Sequence, residues 1–127
     1  EADVGKWEGL SVRRAALTKQ WKVVQNAPSR AAHPGGETFV QTQTRIVTAL
    51  NAICARHKAQ EVVACVFHAD PIKMAVAYYL GLPLDNFQKL ACDTGSLTAM
   101  VVYEMGAHLL RLNQRPPFEM KFPGKKK

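Results

Sequence analysis

The stretch Glu61-Val62-Val63-Ala64-Cys65-Val66-Phe67-His68-Ala69-Asp70-Pro71-Ile72-Lys73 decides the fold class. Six apolar residues follow Glu61 without alternation, two of them adjacent valines. Such a run marks a strand covered on both faces, as in a parallel sheet. His68-Ala69-Asp70-Pro71 ends it. Asp70 suits a helix N-cap, and Pro71 has the fixed φ of a first helical turn. A helix is predicted from Pro71 to Leu80, stopped by Gly81. A covered strand running into a helix implies an α/β layered fold. Only one strand of this kind is visible, so its parallel neighbours are expected to lie outside these 127 residues.

Upstream, Phe39, Gln43, Ile46, Leu50, Ile53 and His57 recur every three or four residues, which predicts an amphipathic helix of about five turns over Thr38–His57. Residues 26–36 interrupt the chain with Pro28, Pro34 and Gly35-Gly36. Before them, Ser11 reads as an N-cap and Val12–Gln25 as one helix, with Ala16, Trp21 and Val24 roughly on one side. Residues 1–10 read as a loop. Helix 12–25 and loop 26–36 are expected to cover a pocket that Trp21 can reach, although packing is the default role for such a residue. Downstream, Leu84–Ala91 is a shorter helical piece. Ser96–Glu104 and Ala107–Asn113 then form a hairpin around Met105-Gly106.

Composition narrows the class. With 47% hydrophobic and 21% charged residues, the 127-residue chain fits one globular domain and not a disordered segment. No apolar run approaches the roughly 20 residues of a membrane helix, and the first twenty residues carry no signal-peptide pattern. The chain opens on Glu1 and not on Met, which reads as a processed chain or a piece of something longer. The net charge is +7, and more than half of it lies in Arg115, Lys121 and Lys125–Lys127, opposed by Glu119 alone. Residues 115–127 therefore read as a basic, Pro-containing tail on a 1–114 domain. Without a stacking or groove-reading pattern, the tail is read as a solvated terminus, and nucleic acid is not expected as a partner. Cys54, Cys65 and Cys92 are odd in number and widely spaced, which speaks against a disulfide framework. Cys65 is expected as a buried thiol within the strand. A reducing, cytoplasmic setting follows by default. No zinc spacing is present, so no metal and no cofactor are expected.

Chemistry concentrates at His68, which follows a covered strand and precedes a helix N-terminus. Ligands of open α/β sheets sit at the C-terminal ends of strands, and free backbone N–H groups there favour anions. A histidine so placed can donate to a phosphate or act as acid or base. His33 reads as a loop residue, His57 as a cation at a helix C-terminus, and His108 as a surface or edge position. Glu37 can stabilise the start of the long helix by about 0.3–1 kcal/mol, or line a loop pocket. Motifs for a serine-hydrolase elbow, a P-loop and a dinucleotide turn are all absent from the sequence.

Several stretches together resemble the histidine phosphatase (phosphoglycerate mutase-like) superfamily. Glu1-Ala2-Asp3-Val4-Gly5-Lys6-Trp7-Glu8-Gly9 looks like its E-x-x-x-G-x-W-E-G segment. Pro34-Gly35-Gly36-Glu37-Thr38, followed by Arg45, is similar to its P-G-G-E-S stretch and the arginine beyond it. Val66-Phe67-His68-Ala69 matches its S-H-G site, and Leu80-Gly81-Leu82-Pro83-Leu84 fits the helix end that follows. Asp93-Thr94-Gly95-Ser96 leads into the last strands. The resemblance spans residues 1–112.

What the resemblance implies is a three-layer α/β/α sandwich and phosphomonoester hydrolysis through a phosphohistidine. The attacking histidine belongs to an R-H-G motif. His68 would stabilise the transferring phosphoryl, Glu1 would protonate the leaving oxygen, and the N–H of Ala69 would face the phosphate beside Glu37. No R-H-G motif occurs in this chain, Phe67 replaces serine, Ala69 replaces glycine, and Lys73 stands where arginine is common. The chain alone is therefore expected to be inactive. The first strand and at least two strand–helix units, about 60 residues or more at about 30 per unit, would come from a longer parent or a second chain. The parent would be a phosphatase acting on a phosphorylated small molecule. The alternatives are a non-catalytic phospho-ligand module and a mutase, and a homo-oligomer is open.

Overall fold

The computed structural model describes residues 1–118. Most of the expected basic tail, residues 119–127, lies outside the described residues. In chain order the elements are α1 (Val12–Ala15), α2 (Lys19–Asn26), α3 (Phe39–Ala55), α4 (Ala69–Leu80), β1 (Leu97–Tyr103) and β2 (Gly106–Gln114). Short 3-10 turns lie at Gly5–Trp7, Pro28–Arg30 and Leu84–Lys89. The last of these replaces the expected helical piece at 84–91.

Helix α3 follows the periodicity of its sequence. Its start is fixed by a capping box: the Thr38 hydroxyl accepts from the Gln41 N–H, and the Gln41 side chain accepts from the Thr38 N–H. Phe39, Thr42 and Val47 are buried on the inward side. The Gln43 side chain donates to the Met74 carbonyl at 2.9 Å, which ties α3 to α4. Helix α4 ends at Gly81, whose φ of 69° is the left-handed value that favours glycine. Val24, Ala31, Phe39, Met74, Ala77 and Phe87 form the core, with Trp7 and Leu82 packed against it. Met74, Ala77 and Phe87 are fully buried. Burial of a ring such as that of Phe87 is worth about 1.5–3 kcal/mol.

Three expectations change. The predicted helix over 12–25 is two helices, broken at residues 16–18. Thr18 has extended backbone angles, and its hydroxyl donates to the Ala15 carbonyl at 2.7 Å, competing with helix continuation. Helix α4 begins at Ala69, two residues before Pro71, so His68 and not Asp70 is the N-cap. The third change is the largest. Residues 61–67 join no sheet, and the one sheet among the described residues is the antiparallel pair β1–β2. Val62 is 74% and Val66 97% exposed, and Cys65 is an exposed thiol, not a buried one. A strand needs a neighbour for its N–H and C=O groups, and no described segment pairs with this one. No helix is long and apolar enough to cross a membrane among the described residues.

Candidate functional site

Two loops distant in sequence build the site's frame. The Lys6 N–H donates to the Pro34 carbonyl at 2.7 Å, and the Glu37 N–H to the Asp3 carbonyl at 2.9 Å. Gly36 is required by this approach: a Cβ there would collide with the Asp3 carbonyl and the Gly5 nitrogen. The 1–6 segment is therefore held flat against the turn at 34–37.

Glu37 secures the same junction with its side chain. Arg45 donates from Nε to one carboxylate oxygen at 2.7 Å and from Nη2 to the other at 2.9 Å. The Thr42 hydroxyl (2.9 Å) and the Asp3 N–H (3.1 Å) donate to that second oxygen. The Arg45 bond is the main cause that lowers the Glu37 pKa from 4.5 to about 2. Arg45 Nη2 also donates to the Glu1 carbonyl at 2.9 Å. Thr42, Glu37 and Arg45 thus form a continuous chain of contacts from α3 to Glu1.

Glu1 in turn faces His68. Its Oε2 lies 3.5 Å from His68 Nδ1, and its Oε1 accepts from the Ala2 N–H at 2.9 Å. Both side chains are more than half exposed, open to a ligand from solvent. His68 has extended backbone angles (φ −111°, ψ 159°), and no side chain caps the helix it opens. The N–H groups of Ala69 and Asp70 have no acceptor among the described residues, and Pro71 has none to offer. The Asp70 carboxylate is turned away, to Lys73 Nζ at 2.8 Å and the Gln88 amide at 3.4 Å. Lys73 is buried and sits over the Phe87 ring, so its charge serves packing and Asp70. An imidazole, a carboxyl and a helix start with free donors converge on one small region, an arrangement suited to an oxyanion.

The candidates named from sequence separate accordingly. Glu1, His68 and the N–H of Ala69 come together. Glu37 is close in the frame, but its oxygens are taken by protein donors. His33 lies in a loop yet is 6% exposed, with Nδ1 at 3.1 Å from the Glu37 carbonyl and its ring between Trp7 and Phe39. His57 pairs with Glu61 at 2.9 Å, and His108 lies beside the Tyr103 ring on the hairpin. The Arg45 grip on Glu1 carried no local signal, since it depends on a contact across 44 residues. Among the described residues no group of three or more His, Cys, Asp or Glu could hold a metal ion.

Comparison with known proteins identifies the family and the fold. The family described as "Histidine phosphatase superfamily (branch 1)" matches residues 1–115. Phosphoserine phosphatase 1 of Hydrogenobacter thermophilus is 27% identical over 115 residues, which is 89% of this chain and 54% of that protein. The solved structure of Bacillus stearothermophilus YhfR superposes with a TM-score of 0.81 at 26% identity, covering 90% of this chain and 57% of that one. The alpha-ribazole phosphatase of Shigella flexneri has a TM-score of 0.75 at 21% identity over 95% of this chain and 60% of its own, a likeness of fold. The α/β fold is thus that of phosphoglycerate mutase-like proteins, and the chain spans about half the length of the relatives it matches.

Proposed function

On the premise that the chain belongs to the histidine phosphatase superfamily, we propose that it carries the acid and phosphate-stabilising half of a phosphomonoesterase site. The observation that carries this reading is the Glu1–His68 pair at 3.5 Å, at the uncapped start of α4. The attacking histidine comes from an R-H-G segment outside these 127 residues, and the chain alone does not turn over substrate. The phosphoryl group passes to that histidine while His68 and the Ala69 N–H stabilise its charge. Glu1, protonated for this step, gives its proton to the leaving alcohol oxygen. Water then cleaves the phosphohistidine, with its proton returning to Glu1. Glu37 acts here as a positioning residue through Arg45.

The relatives are named for different phosphorylated compounds, so the class carried over is a small phosphomonoester. The test is hydrolysis of p-nitrophenyl phosphate by the complete enzyme and its His68→Ala variant. Loss of one phosphate-stabilising donor lowers kcat/KM by about 100- to 1,000-fold. Equal rates would remove His68 from the mechanism. A second reading, phospho-ligand binding without turnover, is favoured by Phe67 beside His68 and by the absence of R-H-G in this sequence. It requires phosphate binding by a complete protein that hydrolyses no phosphomonoester.

A further inference from the structure

Apart from residues 115–127, positive charge gathers in one more stretch of the chain. Residues 9–36 hold Arg13, Arg14, Lys19, Lys22 and Arg30 and no Asp or Glu. The rest of residues 1–114 holds seven Lys and Arg against nine Asp and Glu. All five cations are exposed, on α1, on α2 and on the turn at Pro28–Arg30. None of them forms an ion pair among the described residues. Asp85 lies near Arg30, but its carboxylate accepts the Ser29 N–H at 2.8 Å.

The same segment exposes large apolar side chains between these charges. Leu17, in the break between α1 and α2, is 87% exposed, and Val12 is 70% exposed. Leu10 and Val23 are exposed as well. Helix α2 separates two sides. Val24 belongs to the core and Trp21 packs on Trp7, while Lys19, Lys22, Val23 and Asn26 recur three or four residues apart on the outer side. Lys22, Val23, Asn26 and Arg30 line a groove of about 380 Å³ there, with no acidic residue in its wall. Burying uncompensated cations in protein is costly, so this face stays towards solvent or meets anions. Leucine and valine side chains between the cations gain by leaving water. A surface that is anionic outside and apolar just beneath satisfies both.

We propose that α1, α2 and the turn after them form a docking surface for an anionic lipid membrane. Headgroup phosphates meet the five cations, and Leu17 and Val12 enter the boundary between headgroups and acyl chains. The interleaved side chains decide between anionic partners. Single-stranded nucleic acid is held by aromatic platforms beside the phosphate contacts, and the exposed apolar side chains here are aliphatic. The contact is peripheral and needs no membrane-spanning helix. It goes beyond the phosphatase reading and does not rest on it, since none of its residues belongs to the Glu1–His68 pair or to the frame around Glu37.

The test is sedimentation of the complete protein with vesicles of phosphatidylcholine alone and of phosphatidylcholine mixed with phosphatidylserine. The protein should bind the anionic vesicles and not the neutral ones, and should come off as salt is raised. One Lys near an anionic surface is worth about fivefold in affinity, so Lys19→Glu combined with Lys22→Glu should weaken binding by more than about twentyfold. Leu17→Ser should weaken it by about fivefold or more. The replaced side chains are exposed, so circular dichroism and hydrolysis of p-nitrophenyl phosphate should match wild type. Lys125→Ala, Lys126→Ala and Lys127→Ala in one variant separate the basic end of the chain from this face and should keep most of the binding. Equal binding to both vesicle types, binding to neither, or binding untouched by either the Lys19 and Lys22 exchange or Leu17→Ser would overturn the proposal. So would loss of vesicle binding in the Lys125–Lys127 variant alone, or single-stranded DNA bound more tightly than the anionic vesicles.

Discussion

Replacing Glu37 by Gln tests the frame that holds Glu1 in place. The carboxylate receives two bonds from Arg45 at 2.7 and 2.9 Å, one from Thr42 and one from the Asp3 N–H. These donors lower its pKa from 4.5 to about 2. At about 1.36 kcal/mol per pKa unit, the difference sets a ceiling of about 3.4 kcal/mol. The Arg45 side chain is 47% and that of Glu37 21% exposed, so solvent screening reduces the expected gain to about 1–2 kcal/mol. The pKa is lower in the folded state. The carboxylate's contribution is therefore full above the unfolded value of 4.5 and fades as pH falls towards about 2. Urea denaturation followed by circular dichroism should show wild type ahead of Glu37→Gln by about 1–2 kcal/mol at pH 7. That gap should shrink below pH 4.5 and close near pH 2. A gap unchanged between pH 7 and pH 2, or none at pH 7, would refute the reasoning.

One further substitution and one labelling reaction follow from the structure. Gly36→Ala places a Cβ against the Asp3 carbonyl and should destabilise the protein by about 1–3 kcal/mol, read as a lower urea midpoint. An unchanged midpoint would show that the two loops part without cost. Cys54 and Cys65 are exposed and Cys92 is half-buried. A thiol reagent should therefore modify Cys54 and Cys65 in the folded chain before Cys92, by peptide mass mapping. A Cys65 that reacts only on unfolding would contradict the exposed segment at 61–67.

The elements that were legible in the sequence are those whose information is local. The three-to-four residue recurrence from Phe39 to Ile53 became α3, Gly81 stops α4, and the two strands flank a turn at Glu104–Met105. Val62–Phe67 has the apolar run of a covered strand but joins no sheet, because a strand forms only against a partner and the neighbours expected for it lie outside these residues. Pro34 and the glycines beside His33 mark a loop. The burial of His33 comes from Trp7, more than twenty residues away. For Glu37 the local signal in the sequence is the helix start beside it. Its Arg45 partner lies eight residues on, and the further link from Arg45 to Glu1 spans 44. The Glu1–His68 pair became visible from sequence only through the ordered resemblance of several motifs, since nothing in their spacing of 67 residues brings them together.

The leaving-group dependence of Glu1→Gln in the complete enzyme tests the central claim most directly. A nitrophenolate departs without a proton, whereas an alkoxide needs one. With Glu1 as the acid, Glu1→Gln should lower kcat/KM for ethyl phosphate by about 100- to 10,000-fold and for p-nitrophenyl phosphate by less than about tenfold. Equal losses for the two substrates, or no loss for ethyl phosphate, would contradict the assignment of Glu1 as the acid beside His68.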